Sequence, residues 1–192
     1  MEQTDTIAPK GKNMNRRLIA TTVAALLLIV LTAGFWLALP KLRVPAAALT
    51  EEHADKIKIE KGERKLYLLK QGKVLREYQI ALGFAPEGHK QREGDGKTPE
   101  GVYRISGRNP RSKFHLSLRI SYPNAEDRKQ AAAKGVSPGG DIMIHGLPNA
   151  TPFLGSLHRL KDWTAGCIAV TNDEIEEIWA LTPDGTPIEI LP

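Results

Sequence analysis

The chain has 192 residues, a formal charge of +5 and one cysteine, Cys167. That length holds one ordinary domain and a short appendage, and a lone cysteine excludes a fold stapled by internal disulfides. The charge gathers at the N-terminus: residues 1–43 carry six basic and two acidic side chains, which leaves only +1 for the remainder and argues against a nucleic-acid-binding face.

Residues 1–17 read as a cytoplasmic N-terminus and Leu18–Leu39 as a transmembrane helix, since 22 residues without a charge suffice to cross a bilayer core. Lys10, Lys12, Arg16 and Arg17 precede this run and only Lys41 and Arg43 follow it. The asymmetry places the N-terminus in the cytoplasm and the rest on the periplasmic side of the inner membrane. A cleaved signal peptide is the competing reading, because VPAAAL at 44–49 offers small residues. Against it, the run exceeds the usual 7–15 apolar residues, and Trp36 suits an interfacial anchor. Residues 40–55 read as a tether and 56–192 as the folded domain.

Within that domain KIKIE (56–60), KLYLLK (65–70) and VLREYQIALG (74–83) are extended segments separated by glycine turns. A long glycine-rich stretch follows at 83–101, and such loops in compact domains are either functional or disordered. VYRIS (102–106) and FHLSLRIS (114–121) predict further strands. NAEDRKQAAAKG predicts a short helix with Asn124 as N-cap and Gly135 as its stop. DIMIHG (141–146) reads as a buried strand ending at His145, and CIAV (167–170) as another. Thr171 and Glu174 have capping-box spacing ahead of a helix with Ile175, Ile178 and Trp179 on one stripe, and IEIL (188–191) is a last strand. The fold class is therefore mainly β, with one or two short helices.

Cys167 admits two readings, a small buried hydrophobe or a nucleophile served by a nearby base. It follows Gly166 at the start of a strand, where backbone N–H groups can face a substrate oxygen and no side chain obstructs the approach. Of the five histidines, His53 lies in the tether, His89 in the polar loop as a solvated residue, and His115 within a strand as a structural one. His158, in GSLHRL, is expected to be solvated on a short helical or lid segment. His145 alone reads as a satisfied half-buried histidine, but paired with Cys167 it reads as a base presented at a strand end.

The motifs GDGKTPEGVYRI (94–105), IHG (144–146) and TAGCIAV (164–170), in this order, resemble the L,D-transpeptidase (YkuD-type) catalytic domain across about residues 56–191. The resemblance implies a mixed β-sandwich or barrel, with Cys167 as acyl-accepting nucleophile and His145 as general base and acid. It places Gly166 and the Cys167 N–H at the oxyanion and gives Thr164 a loop-ordering role. Thr98, Pro99 and Gly101 shape the sheet beside the site. Trp163 and Gly146 are candidate walls of a substrate groove, with a core position equally open to Trp163. An imidazolium at His145 would lower the thiol's pKa.

The reaction implied is acyl transfer on peptidoglycan stem peptides, forming cross-links or attaching protein to the wall, with no cofactor or metal. Ala165 and Ala169 depart from the pattern, where many members carry His and Arg or Asn. The W-T-x-G-C-I-A form is similar to a subgroup that processes murein and releases a wall-attached lipoprotein. A hydrolase on the same scaffold, and a non-catalytic wall-binding module with Cys167 merely buried, therefore stay open.

Overall fold

The computed structural model describes residues 53–192. The expected cytoplasmic N-terminus and transmembrane helix, and all but the last three residues of the tether, lie outside them. Among the described residues no helix is long and apolar enough to cross a membrane.

Eight strands form one mixed sheet: β1 (Lys56–Glu60), β2 (Lys65–Lys70), β3 (Lys73–Gln79), β4 (Gly101–Ser112), β5 (His115–Ile120), β6 (Met143–His145), β7 (Ile168–Ala169) and β8 (Pro187–Leu191). Their order across the sheet is β3-β2-β1-β8-β4-β5-β6-β7. The β1–β8 and β6–β7 pairs are parallel and the others antiparallel. Beyond β3 the chain continues to Ala81, which exchanges both backbone hydrogen bonds with Ala169 at 2.9 and 2.8 Å. That bridge joins the two ends of the sheet, so it closes on itself and the β7 edge is covered.

Alternation along the strands explains the core. Ile57, Ile59, Leu66, Leu68, Ile105, Leu118, Ile120, Ile144, Ile188 and Ile190 point inward and are fully buried. At the start of β1, Ala54 is buried and donates to the Leu181 carbonyl, and Asp55 accepts from the Gln71 N–H, so the packed domain already includes the end of the tether segment.

Both helices have the ends their sequences encode. Helix α1 (Ala125–Ala133) starts at Asn124, whose side chain accepts from the N–H groups of Glu126 and Asp127. It ends in a Schellman turn: Val136 N–H reaches the Ala131 carbonyl and Gly135 N–H the Ala132 carbonyl, with Gly135 at φ +65°. Helix α2 (Asn172–Leu181) has the Thr171/Glu174 capping box and buries Ile175, Ile178 and Leu181. Trp179 packs partly against the core, and the Arg108 guanidinium lies 4.8 Å over its ring.

The sequence misjudges one strand. β4 runs on through GRNPRS to Ser112, where Gly107, Asn109 and Pro110 suggest a loop. Bulges after Ile105 and Asn109 accommodate these residues while pairing with β5 resumes.

Candidate active site

His145 ends β6 and Cys167 immediately precedes β7. The parallel register pairs Ile144 with Ile168 and His145 with Ala169. Extended by one residue, it sets Cys167 beside Met143, so Cys167 and His145 project from the same face, one row apart. Ile144 and Ile168, alternating with them, are fully buried in the core.

The imidazole is held on all sides. Its Nδ1 donates to the Gly146 carbonyl at 2.7 Å, which fixes the tautomer and leaves the Nε2 lone pair free. Phe114 covers it at 4.4 Å between ring centroids, and Trp163 meets it edge-on at 5.8 Å. Burial holds its pKa below the ordinary value, so His145 is neutral at rest.

Gly146 is not a groove wall as expected; it is buried beneath α2. A Cβ there would lie 2.7 Å from Asn172 Oδ1 and 3.0 Å from Ile175. Its N–H donates to the Phe114 carbonyl. Only glycine fits between β6 and the helix, and its carbonyl is what orients His145.

The half-buried Cys167 is set by its own loop. Thr164 Oγ1 donates to the Cys167 carbonyl at 2.7 Å and accepts the Gly166 N–H at 3.1 Å. The Gly166 N–H is therefore spent inside the turn. Among the described residues no partner engages the Cys167 N–H, which is the backbone donor available to a substrate oxygen. Gly166 has φ +133°, and a Cβ there would stand 2.6 Å from the Lys97 carbonyl. The glycine-rich loop thus packs directly beneath the cysteine turn.

Sγ hydrogen-bonds the Asp141 carbonyl at 3.5 Å and not the imidazole. Burial raises the thiol's pKa, outweighing the lowering by a backbone hydrogen bond from Met143 and by Lys90. Where the sequence leads us to expect an imidazolium-lowered thiol, burial instead pushes both groups toward their neutral forms.

The other histidines have partners or burial of their own. His89 is not a solvated loop residue: Nδ1 accepts from the Glu100 N–H at 3.0 Å and Nε2 lies 3.2 Å from Asp127. His115 Nε2 is 2.8 Å from Glu176, at the α2 surface. His158 is also not solvated. It is 7 % exposed, with both ring nitrogens unpartnered, and burial beside Arg159 lowers its pKa to about 4.

His158 belongs to a kinked 3-10 segment, Pro152–Leu160, that arches beside the site. With Leu147, Leu154, Leu157, Leu160 and Trp163 it lines an apolar cleft of about 240 Å³. Trp163 therefore borders an open cleft while its Nε1 is buried without a partner. Ala169, one of the two departures, is fully buried in the bridge that closes the sheet, whereas Ala165 is exposed. Among the described residues no group of three or more His, Cys, Asp or Glu side chains could hold a metal.

Residues 54–190 match the profile of the YkuD family, the L,D-transpeptidase catalytic domain. YafK of Escherichia coli (strain K12), named provisionally as an L,D-transpeptidase, is 35 % identical over 129 residues, 64 % of this chain and 45 % of YafK. A variant of Pgp2, a helical cell shape determining protein from Campylobacter jejuni, superposes with a TM-score of 0.55 at 26 % identity, covering 73 % of this chain and 48 % of that one. Bd1075 of Bdellovibrio bacteriovorus gives 0.51 at 26 % identity, over 72 % and 48 %. The chain spans less than half the length of each. On the family profile and the fold that carries it, this chain belongs to the YkuD L,D-transpeptidase catalytic-domain family.

Proposed function

We propose that this domain is a cysteine acyltransferase acting on peptidoglycan stem peptides, with Cys167 as nucleophile and His145 as the proton carrier. The observation that carries the reading is the His145 tautomer. With Nδ1–H committed to the Gly146 carbonyl, Nε2 is a basic nitrogen on the face that bears Cys167.

In the first half-reaction Sγ turns from the Asp141 carbonyl and attacks the substrate carbonyl carbon, while its proton passes to Nε2. The developing oxyanion accepts the Cys167 N–H. Collapse breaks the C–N bond, the departing amine takes the proton back from Nε2, and a thioester remains. In the second half an acceptor amine attacks the thioester, gives its proton to Nε2, and the thiolate leaves and is reprotonated. Transfer between neutral partners suits a buried pair, since no charge is carried until the bond forms.

We propose further that Leu18–Leu39 anchors the domain outside the cytoplasmic membrane, facing the wall. A second reading, hydrolysis, has one observation in its favour. Ala169 is sealed in the sheet and Ala165 carries no polar group, so neither supplies a hydrogen bond to an amine acceptor. Water then becomes the acceptor that resolves the thioester, and a wall-attached lipoprotein would be a leaving amine of the first half-reaction.

Incubation of the full chain with purified muropeptides, followed by mass spectrometry, separates these readings. Joined stem peptides are expected for transpeptidation and shortened ones for hydrolysis. Unchanged muropeptides with the wild type, or equal products with Cys167→Ala, would overturn both.

A further inference from the structure

A second cleft lies on the same sheet face as the thiol. The register pairs Ser117 with His145 and Arg119 with Met143 across β5–β6, and Asn109 with Ser117 and Gly107 with Arg119 across β4–β5. Gly107, Arg119, Met143 and Cys167 thus form one row, and Asn109, Ser117, His145 and Ala169 the next. At about 4.8 Å between strands, the guanidinium springs from a point two strands from the cysteine. Gly107, Asn109, Ser117, Arg119 and Met143 line a cleft of about 240 Å³ there.

Ser106 and Arg108 at the cleft's rim already have partners, whereas Ser117, Asn109 and Arg119 carry donors in search of an acceptor. Ser117 is 1 % exposed, and its hydroxyl has no partner among the described residues. A buried hydroxyl left unpaired is costly unless a ligand or water completes it. Asn109 accepts the Arg111 N–H through Oδ1, which leaves its amide N–H groups free. Arg119 Nη1 contacts Asp141 Oδ1 at 2.6 Å, with the rest of its fork open. Both side chains of that pair are more than half exposed, so the pair is weak and readily shared with a ligand.

Asp141 links this cleft to the nucleophile. It meets Arg119 with its carboxylate and the Cys167 thiol with its carbonyl, and it sits at φ +55°, a conformation uncommon for a non-glycine residue. An anion bound by Arg119 therefore sits two strands from Cys167 in the same row and shares Asp141 with it.

We propose that the Arg119–Ser117–Asn109 cleft is a carboxylate subsite that positions the acyl donor against Cys167. The assignment rests on the acyl-transfer reading for the identity of the donor, a peptide carrying a free carboxylate close to its scissile bond. The anion preference itself does not depend on that reading. Arg119 supplies the charge and the fork geometry, and Ser117 and Asn109 supply neutral groups that can donate to either oxygen.

Because Cys167 is the only cysteine, alkylation reports on this site alone. The test compares rates of the full chain with iodoacetate, an anion, and iodoacetamide, its neutral isostere, at one pH. The ratio cancels differences in thiolate fraction. Arg119→Ala is expected to lower the iodoacetate-to-iodoacetamide ratio about ten-fold, and Arg119→Lys, which keeps the charge, only part of that way. Asp141→Asn, which removes the competing carboxylate, is expected to raise it. An unchanged ratio in Arg119→Ala, or an equal loss with both reagents, would overturn the proposal. A second arm measures turnover of a stem peptide against its carboxamide, a preference expected to vanish in Arg119→Ala. If the wild type turns over neither peptide while its alkylation ratio still depends on Arg119, the acyl-transfer reading fails and the anion subsite stands.

Discussion

Two segments flank the Cys167–His145 pair, and they are held by opposite means. Between Gly83 and the start of β4, the glycine-rich loop at 84–100 has no helix or strand but is pinned by buried charge. Lys61, 2 % exposed, reaches the carbonyls of Gly88 and Thr98 at 2.8 and 3.1 Å and Glu100 at 2.7 Å. Lys90 meets Asp95 at 2.8 Å, and Asp95 also accepts the N–H groups of Gln91, Arg92 and Lys97. Thr98 takes the Gly83 N–H. The segment from 147 to 163 is held mainly at its ends, by the Leu147 N–H on Asn172 and Asn149 on the Ser112 carbonyl at one, and by Arg159 on Glu174 and Asp162 on Arg64 and the Leu82 N–H at the other. Between them Phe153, Leu157 and Leu160 stand exposed and His158 is buried without a partner. A satisfied polar network fixes geometry, whereas an apolar arch with orphan nitrogens has free energy left to gain from a ligand. The first segment builds the floor of the site and the second forms its adaptable wall.

The strongest way to break this comparison is at the floor. Gly166→Ala forces a Cβ to 2.6 Å from the Lys97 carbonyl at φ +133°. The expected result is loss of all turnover and at least about 3 kcal/mol of stability, read from urea unfolding. A folded, active Gly166→Ala would show that loop and cysteine turn are not rigidly coupled.

Asp95 comes next. Burial raises its pKa, but Lys90 and the three backbone donors outweigh that and hold it at about 2. Its folded value lies below its unfolded one, so its contribution is full above about pH 4 and disappears as pH falls toward 2. Asp95→Asn is expected to cost about 2–3 kcal/mol at pH 7, and the gap between variant and wild type should close in acid. A pH-independent gap would rule out a charge-based anchor.

For the wall the sign is reversed. His158 has its folded pKa lowered to about 4, chiefly by burial. Its neutral form favours the folded state, so stability is lost as pH drops from about 6.5 to 4. His158→Phe removes two unpaired nitrogens and this acid sensitivity. It should leave stability at pH 7 unchanged or higher and flatten its fall by about 2 kcal/mol over that range. The smallest expected effect on stability is at Leu157, 62 % exposed: Leu157→Ser should change it by less than about 0.5 kcal/mol. If the arch lines the substrate path, KM should rise with kcat preserved, and an unchanged KM would remove the arch from substrate contact.

What could be read from the sequence follows the range of the interactions. Both helices and their caps were legible because Asn124, Gly135, Thr171 and Glu174 act within a few residues of themselves. The Cys167 and His145 candidates were legible because motif residues mark them. The bridge from Ala81 to Ala169 was not, since nothing local distinguishes an alanine that closes a sheet. The packing of Gly146 under α2 was not either, because a glycine after a strand-end histidine carries no sign of the helix above it. The length of β4 was hidden by Gly107 and Pro110, which bulges accommodate. Arg119 and Ser117 left no motif, and only the register places them on the face that bears Cys167 and His145.

The central claim, that the Cys167 thiol carries the acyl group, is tested by trapping it. Wild type and Cys167→Ala are mixed with a tetrapeptide stem, quenched in acid within the first turnover, digested and mapped by mass spectrometry. The thioester is expected on the peptide containing Cys167 in the wild type and nowhere in Cys167→Ala. An acyl group on another residue, or one retained by Cys167→Ala, would contradict the account.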